Sequence, residues 1–381
     1  MISSALTGEI INKPIFSSKS DKSITSLSKV FNGPTCVYYD QKIGHLQTNE
    51  IANINKYYDE EYQFFDESEE DDILYKVVEG HKIFRQQHQV DTLLLKVQLK
   101  PGMEILDYGC GKGTVLKRLY TQKKDIIPYL FDVSQMYVSL WKKFLTTEQY
   151  ASYEPRSEWK GKFDLVTSFF AFEHTPDPLK ELASIKLLLK QDGLIYMVVP
   201  NVYENVGDFI VADHVHHYSE VSLKYMFAKG GFEILEIDTH SHFAAFIIVA
   251  KNSGLKPYDI NSRQLKDVYE ESHKIAKYWE GLQSKILDFE AKVGEKKSAI
   301  YGAGVYGTFI ATTLKNFNRL ICFIDQNPLL EGKYVMEKTV NSPSNIPEDI
   351  EVIYVGLNPK TARAAIENLH LNSRGIDLFY L

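Results

Sequence analysis

The densest run of chemically competent side chains is Asp213-His-Val-His-His-Tyr218, three histidines in four residues beside an aspartate. Imidazole is the side chain whose ordinary pKa suits it to moving protons near neutral pH, and three of them in a loop are ill suited to core packing. His214, oriented by Asp213 and with His217 nearby, is the candidate general base, and His216 serves as a silent control if its side chain points outward from the loop. A second acid–imidazole pair, Glu173-His174, follows a strand and reads as a structural turn. Only one carboxylate lies close in sequence to the three histidines, too few for a hard divalent cation, so no metal is expected.

Two glycine loops offer cradles for a ligand. In Ile105-Leu-Asp-Tyr-Gly-Cys-Gly-Lys-Gly113 the glycines sit at a strand-to-helix turn, where missing side chains let a ligand approach the backbone. That spacing alone serves dinucleotide and adenosyl cofactors alike. Asp107, two residues before the first glycine, repels a pyrophosphate and favours a cation. Asp132, 19 residues past Gly113, ends the next strand, where a carboxylate accepts both hydroxyls of a ribose. The second loop, Ile300-Tyr-Gly-Ala-Gly-Val-Tyr-Gly307, has GxGxxG spacing with Asp325 18 residues beyond Gly307. Ile300 stands where Asp107 stands in the first loop, so an anionic phosphate is tolerated there.

Positioning these loops requires parallel sheets, and the pattern of apolar runs alternating with helical segments supplies them. Strands are expected at Glu104–Tyr108, Ile127–Phe131, Phe163–Ser168, Gly193–Val199, Phe232–Asp238 and Ala245–Ala250. The last two form a hairpin that leaves one antiparallel strand in an otherwise parallel sheet. A polar helix over about 262–292 reads as a connector, and a smaller α/β unit with strands Ser298–Tyr301, Leu320–Ile324 and Glu351–Val355 follows. The division expected is an N-terminal arm and cap at 1–80, a first Rossmann-like domain at 81–253, a linker at 254–296 and a second Rossmann-like domain at 297–381. Within the first segment, residues 1–50 read as a polar arm, and a mostly helical stretch is expected over about 73–99.

Composition excludes several function classes. A net charge of −7, from 43 basic and 50 acidic residues, gives no field to hold a polyanion, so no nucleic-acid partner is expected. No apolar run approaches the roughly 18–20 residues that cross a bilayer, and the start lacks a signal-like apolar segment, so a cytoplasmic protein with no membrane partner is expected. Three scattered cysteines cannot form a disulfide framework or a four-cysteine zinc site.

The first loop, Asp132-Val-Ser134, Phe163-Asp-Leu-Val-Thr-Ser-Phe-Phe-Ala-Phe-Glu-His174 with Asp177-Pro178, and Leu189-Lys-Gln-Asp-Gly-Leu-Ile195 with Val199-Pro-Asn201 together resemble the class I S-adenosylmethionine-dependent methyltransferases. The resemblance covers about residues 80–252 and implies S-adenosylmethionine as cofactor. Asp107, Tyr108, Gly109, Cys110, Gly111 and Gly113 would cradle its methionine part, Asp132 its ribose and Val133 one adenine face, with Phe170 also in the cofactor site. Tyr57, Tyr58 and Tyr62 would close over it from the arm. Asp325-Gln-Asn-Pro-Leu-Leu-Glu-Gly-Lys-Tyr334, after the second glycine loop, resembles the C-terminal domain of the sugar C-methyltransferases that act on nucleotide-linked keto-sugars. In that family an acidic residue followed by histidine supplies the base, at the place of Asp213-His214. This chain departs from the family by lacking its four N-terminal zinc-binding cysteines and by carrying aspartate for the usual glutamate. The resemblance implies methyl transfer to oxygen or carbon of a sugar nucleotide or related activated small molecule in polysaccharide or secondary-metabolite biosynthesis. Two alternatives stand beside it: an inactive, sugar-nucleotide-binding relative, and an NAD-dependent oxidoreductase using the second loop.

Overall fold

The computed structural model describes residues 1–51, 74–78, 81–254, 258–367, 369 and 375–381. Tyr57, Tyr58 and Tyr62 lie outside them.

In the arm, strands β1 (Phe16–Ser17), β2 (Cys36–Asp40) and β3 (His45–Thr48) form antiparallel pairs. Helix α1 (Arg85–Lys96) follows a hairpin of Leu74–Val78 and His81–Phe84, so about a third of the stretch expected to be mostly helical is strand. The run Leu74-Tyr-Lys-Val-Val78 is rich in residues that favour a pleated surface, which explains the difference.

The large sheet contains β4 (Glu104–Tyr108), β5 (Ile127–Asp132), β6 (Tyr150–Ser152), β7 (Phe163–Phe169), β8 (Leu189–Pro200), β10 (Phe232–Asp238) and β11 (Ala245–Asn252). Its order is β6-β5-β4-β7-β8-β11-β10, with β11 antiparallel to both neighbours and every other pairing parallel. The edge strand β6 is an addition to the six read from sequence; three residues are too few to show a period. Tyr196 to Val199 of β8 and Ala245 to Ala250 of β11 are buried without interruption, as strands covered on both faces must be.

Helices α2 (Thr114–Gln122), α3 (Pro178–Leu188) and α4 (Glu220–Gly230) cover this sheet. Asp177 caps α3 by accepting from the Lys180 backbone N–H, with Pro178 at the first helical position. The Ser219 side chain likewise caps α4. Between β8 and α4 a short strand, β9 (His216–His217), pairs with β3 and so fastens the histidine loop to the arm.

Helix α5 (Ser262–Val293) is more than the connector its polarity suggested. Ile275, Trp279, Leu282 and Ile286 form a buried stripe that packs in one cluster with arm residues Phe16 and Val37 and with Tyr306 and Phe309 of the C-terminal unit. That unit has β12 (Ser298–Tyr301), α6 (Val305–Thr313), β13 (Leu320–Ile324), β14 (Tyr334–Val335), β15 (Lys338–Asn341), β16 (Val352–Val355) and β17 (Asp377–Tyr380) in the order β14-β15-β13-β12-β16-β17. Among the described residues no helix is long and apolar enough to cross a membrane.

Candidate active site

Three loops converge at the carboxyl ends of the parallel strands, the side on which open α/β sheets bind ligands. The first is the turn Gly109–Gly113 between β4 and α2. Gly109 and Gly113 have φ of 74° and 71°, a region that strains any side chain. A Cβ on Gly109 would stand 2.6 Å from Ala171 Cβ, and one on Gly113 2.6 Å from Leu130 Cδ1. These glycines therefore let the turn nest against β5 and the loop after β7. The Gly111 backbone N–H donates to Asp132 Oδ2 at 2.7 Å and the Ser134 N–H to Oδ1 at 3.1 Å, which aims the carboxylate. Burial raises the pKa of Asp132, and those backbone donors oppose the rise. Val133 beside it is 53% exposed, an apolar face open to a planar ring.

Asp107 is buried at the end of β4 and accepts from Thr167 Oγ1 at 2.8 Å. Burial pushes its carboxyl up to about 7, with Thr167 opposing and Asp132 adding to the rise. A buried carboxyl held in this state is completed by a cation, so the cradle fits a ligand carrying a sulfonium and an ammonium. Tyr108, expected in the cradle, turns its side chain into the core, where it packs on Phe131 and donates to Glu181. Alternation along β4 dictates this: Asp107 and Tyr108 face opposite sides of the sheet. The Cys110 thiol is pushed well up by burial and by the carboxylates of Asp132 and Asp107, which disfavours a thiolate. Phe170 has φ of 54° and lies 4.2 Å beneath the Arg85 guanidinium, a stacked wall on the same side.

The second and third loops, 170–177 after β7 and 201–219 after β8, are laced together. The His216 N–H donates to the Glu173 carbonyl at 3.1 Å, and Tyr218 Oη to that of Phe172 at 3.1 Å. This brings His174 and His214 into edge contact, ring centroids 4.7 Å apart, and gathers Glu173, His174 and His214 so that one ligand atom from each lies within 4.8 Å of the others.

The aspartate that holds His214 is not Asp213. His214 Nδ1 is 2.6 Å from Asp208 Oδ1, while the Asp213 carboxylate is fully buried and accepts from the Ser26 N–H at 2.6 Å and Ser26 Oγ at 2.7 Å. Adjacent residues in an extended loop diverge, whereas the short helical turn Val206–Ile210 folds Asp208 back under the imidazole. Its six-residue spacing before His214 is a signal too weak to read alone. Burial works against charge on His214, yet Asp208 outweighs it and pushes the imidazole up to about 9. His174 goes the other way, down to about 4, by burial and the nearby His214. Glu173 rises to about 8, chiefly by burial.

His217, expected beside the base, has a partner at each ring nitrogen. It is fully buried, with Nδ1 2.7 Å from Asp208 Oδ2 and Nε2 2.8 Å from Thr48 Oγ1. His216 does not point outward either; its Nδ1 is 2.9 Å from His45 Nε2 in a stacked pair. Pairing of β9 with β3 turns both histidines inward, a consequence invisible from the loop sequence.

The second glycine loop repeats the first in outline: the Ala303 N–H donates to Asp325 Oδ2 at 2.8 Å, as Gly111 does to Asp132. Tyr306, from the start of α6, donates to Asn205 Oδ1 at 2.7 Å and accepts from the Gly207 N–H at 2.8 Å. The C-terminal unit is thereby pinned to the turn that carries Asp208.

Residues 81–237 match the family model of a methyltransferase domain. The matched stretch holds the Rossmann-like sheet and the first glycine loop, and the cofactor that a methyltransferase domain implies is S-adenosylmethionine. Among curated relatives, a ubiquinone biosynthesis O-methyltransferase of Xanthomonas campestris is 31% identical over 123 residues, covering 30% of this chain and 49% of the relative. One of the same name from Acinetobacter baylyi is 26% identical over 134 residues, covering 32% and 56%. The chain thus spans about half the length of the curated relatives it matches. A solved S-adenosylmethionine-dependent methyltransferase of Aquifex aeolicus is 21% identical with a TM-score of 0.35, over 42% of this chain and 88% of the other.

Proposed function

We propose that the chain transfers the methyl group of S-adenosylmethionine to an oxygen or carbon of an activated small molecule, a sugar nucleotide, in polysaccharide or secondary-metabolite biosynthesis. The carrying observation is the placement of the Glu173, His174 and His214 cluster against the glycine-loop cradle, with Ala171 touching the space above Gly109. An in-line displacement requires the acceptor on the far side of the methyl carbon from sulfur, with a group beside it to deal with the acceptor proton.

The bound cofactor supplies a methyl group on a sulfonium. Asp107 stabilises its positive charge, Asp132 holds the ribose hydroxyls, and Val133 and Phe170 flank the adenine end. His214, fixed by Asp208, meets the acceptor. Because Asp208 pushes that imidazole up to about 9, His214 must lose a proton before Nε2 can offer a lone pair. The nucleotide class is supported by the second glycine loop with Asp325 and by its docking through Tyr306 beside Asp208. The oxygen acceptor is supported by the O-methyltransferase relatives.

The test is incubation with S-adenosylmethionine and a panel of sugar nucleotides, with products read by mass spectrometry. Gain of one methyl on a sugar nucleotide supports the reading. Methylation of a phenol with none of any sugar nucleotide would replace the substrate class, and saturable NAD binding would revive the oxidoreductase alternative.

A further inference from the structure

We propose that Glu173, His174 and His214 bind one divalent cation whose open coordination positions face the methyl acceptor. Two imidazoles and one carboxylate are a donor set for Mn²⁺, Fe²⁺, Co²⁺ or Zn²⁺ in preference to the all-oxygen shells of Ca²⁺ and Mg²⁺.

Geometry carries this inference. The three ligand atoms lie within 4.8 Å of one another. Ion–ligand distances of about 2.0–2.2 Å put neighbouring ligands about 3–3.5 Å apart, so side-chain movements of about an ångström close the site. The tautomers are set for it. His174 Nδ1 faces the Asp213 carbonyl at 2.8 Å, an acceptor only, so Nδ1 carries the proton and Nε2 the lone pair. His214 Nδ1 faces Asp208 Oδ1 at 2.6 Å, the carboxylate–histidine arrangement that orients a ligating imidazole and raises its basicity. Glu173 Oε2 is buried with no hydrogen-bond partner among the described residues, a costly state unless something positive meets it.

The supporting shell is rigid. Asp208 also holds His217, whose other nitrogen reaches Thr48, and the Asp213 carboxylate is anchored by Ser26. Both arm contacts exist only because the arm folds back over the histidine loop. The His174 and His214 side chains are each 12% exposed, so an ion and one small acceptor group can reach them.

The role of the ion rests on the methyl-transfer reading; its binding does not. An acceptor hydroxyl held beside the ion loses its proton to solvent more readily. Its oxygen then bonds to the methyl carbon as the carbon–sulfur bond breaks and the electron pair stays on sulfur. The products are a methyl ether, neutral S-adenosylhomocysteine and one proton.

The test uses the full chain, stripped with chelator and desalted, titrated with Mn²⁺, Co²⁺ and Zn²⁺ by calorimetry and by the visible absorption of Co²⁺. One ion per chain is expected. Glu173→Gln and His214→Ala should each weaken it at least about tenfold, and Asp208→Asn by about 10–100-fold, the usual effect of an outer-shell partner. Glu173→Gln keeps the shape of a buried side chain, and its circular dichroism and S-adenosylmethionine affinity should match wild type, which separates ion loss from unfolding. Saturable binding by none of the three ions would overturn the site and leave a proton shared between His214 and Glu173 as its occupant. Equal affinity in Glu173→Gln and His214→Ala would also overturn it, and undiminished methyl transfer by the stripped protein would overturn the role. Ion binding as expected without methylation of any acceptor would keep the site and remove the proposed activity instead.

Discussion

Cofactor affinity should depend on pH through Asp107. In the ligand-free protein burial holds this carboxyl up to about 7, so at pH 6 it is mostly neutral and at pH 8 mostly ionised. A sulfonium and ammonium bound nearby stabilise the ionised form and draw its pKa back down. With a free value of 7, the ionised fraction rises from about one in eleven at pH 6 to about ten in eleven at pH 8. Affinity should rise by the same ratio, about tenfold or 1.4 kcal/mol. The amino group of the cofactor titrates near 7.7–8.0 in the opposite sense, so the wild-type profile alone is a product of two limbs. Asp107→Asn keeps only the ligand's limb, and the ratio of wild-type to variant association constants isolates the residue.

The assay is calorimetric titration with S-adenosylmethionine at half-unit intervals between pH 6 and 8. A ratio that stays flat would show that Asp107 does not sense the cation. Stability gives an independent check. The folded pKa lies above the unfolded value, so the Asp107 contribution is fully present below about 3.9 and is lost as pH rises through about 7. Bound cofactor restores it, so its thermal stabilisation should be larger at pH 8 than at pH 6.

Asp132→Ala should weaken S-adenosylmethionine by about 1.5–3 kcal/mol, the scale for hydrogen bonds to a charged group, and unchanged affinity in calorimetry would move the ribose elsewhere. His214→Ala should lower turnover by about 10²–10⁴-fold with cofactor affinity nearly constant, and wild-type turnover would remove the residue from the mechanism. Asp213→Asn should act mainly on stability, because its carboxylate is spent on Ser26; a denaturant midpoint equal to wild type would contradict that placement. Gly109→Ala should cost about 1–3 kcal/mol of stability, because φ of 74° and the close Ala171 Cβ both oppose a side chain, and a neutral result by thermal melting would show that the turn can shift.

Much of the fold was legible in sequence because its signals are local. The strands β4, β5 and β7 are short apolar runs bounded by turns, and the glycine loops with Asp107 and Asp132 follow from spacing along one strand–turn–helix unit. The first glycine loop, Asp107 and Asp132 lie within 30 residues of chain, so residue type and spacing alone point to the chemistry expected of them. What needed tertiary structure is contact between segments far apart in sequence. Tyr108 left the cradle by strand alternation, a rule available beforehand but overridden by the motif. The partners of the histidine loop come from elsewhere in the chain. Thr48 and His45 of the arm claim His217 and His216, Ser26 claims Asp213, and the 206–210 turn delivers Asp208 to His214. Glu173 and His174 join His214 only because the loops after β7 and β8 are laced by the backbone bond from His216 and the hydroxyl of Tyr218. Residue type and spacing determined which side chains were able to do chemistry; burial and long-range hydrogen bonding decided which of them are used to hold the others in place, because a buried polar group must find its partner wherever the chain brings one.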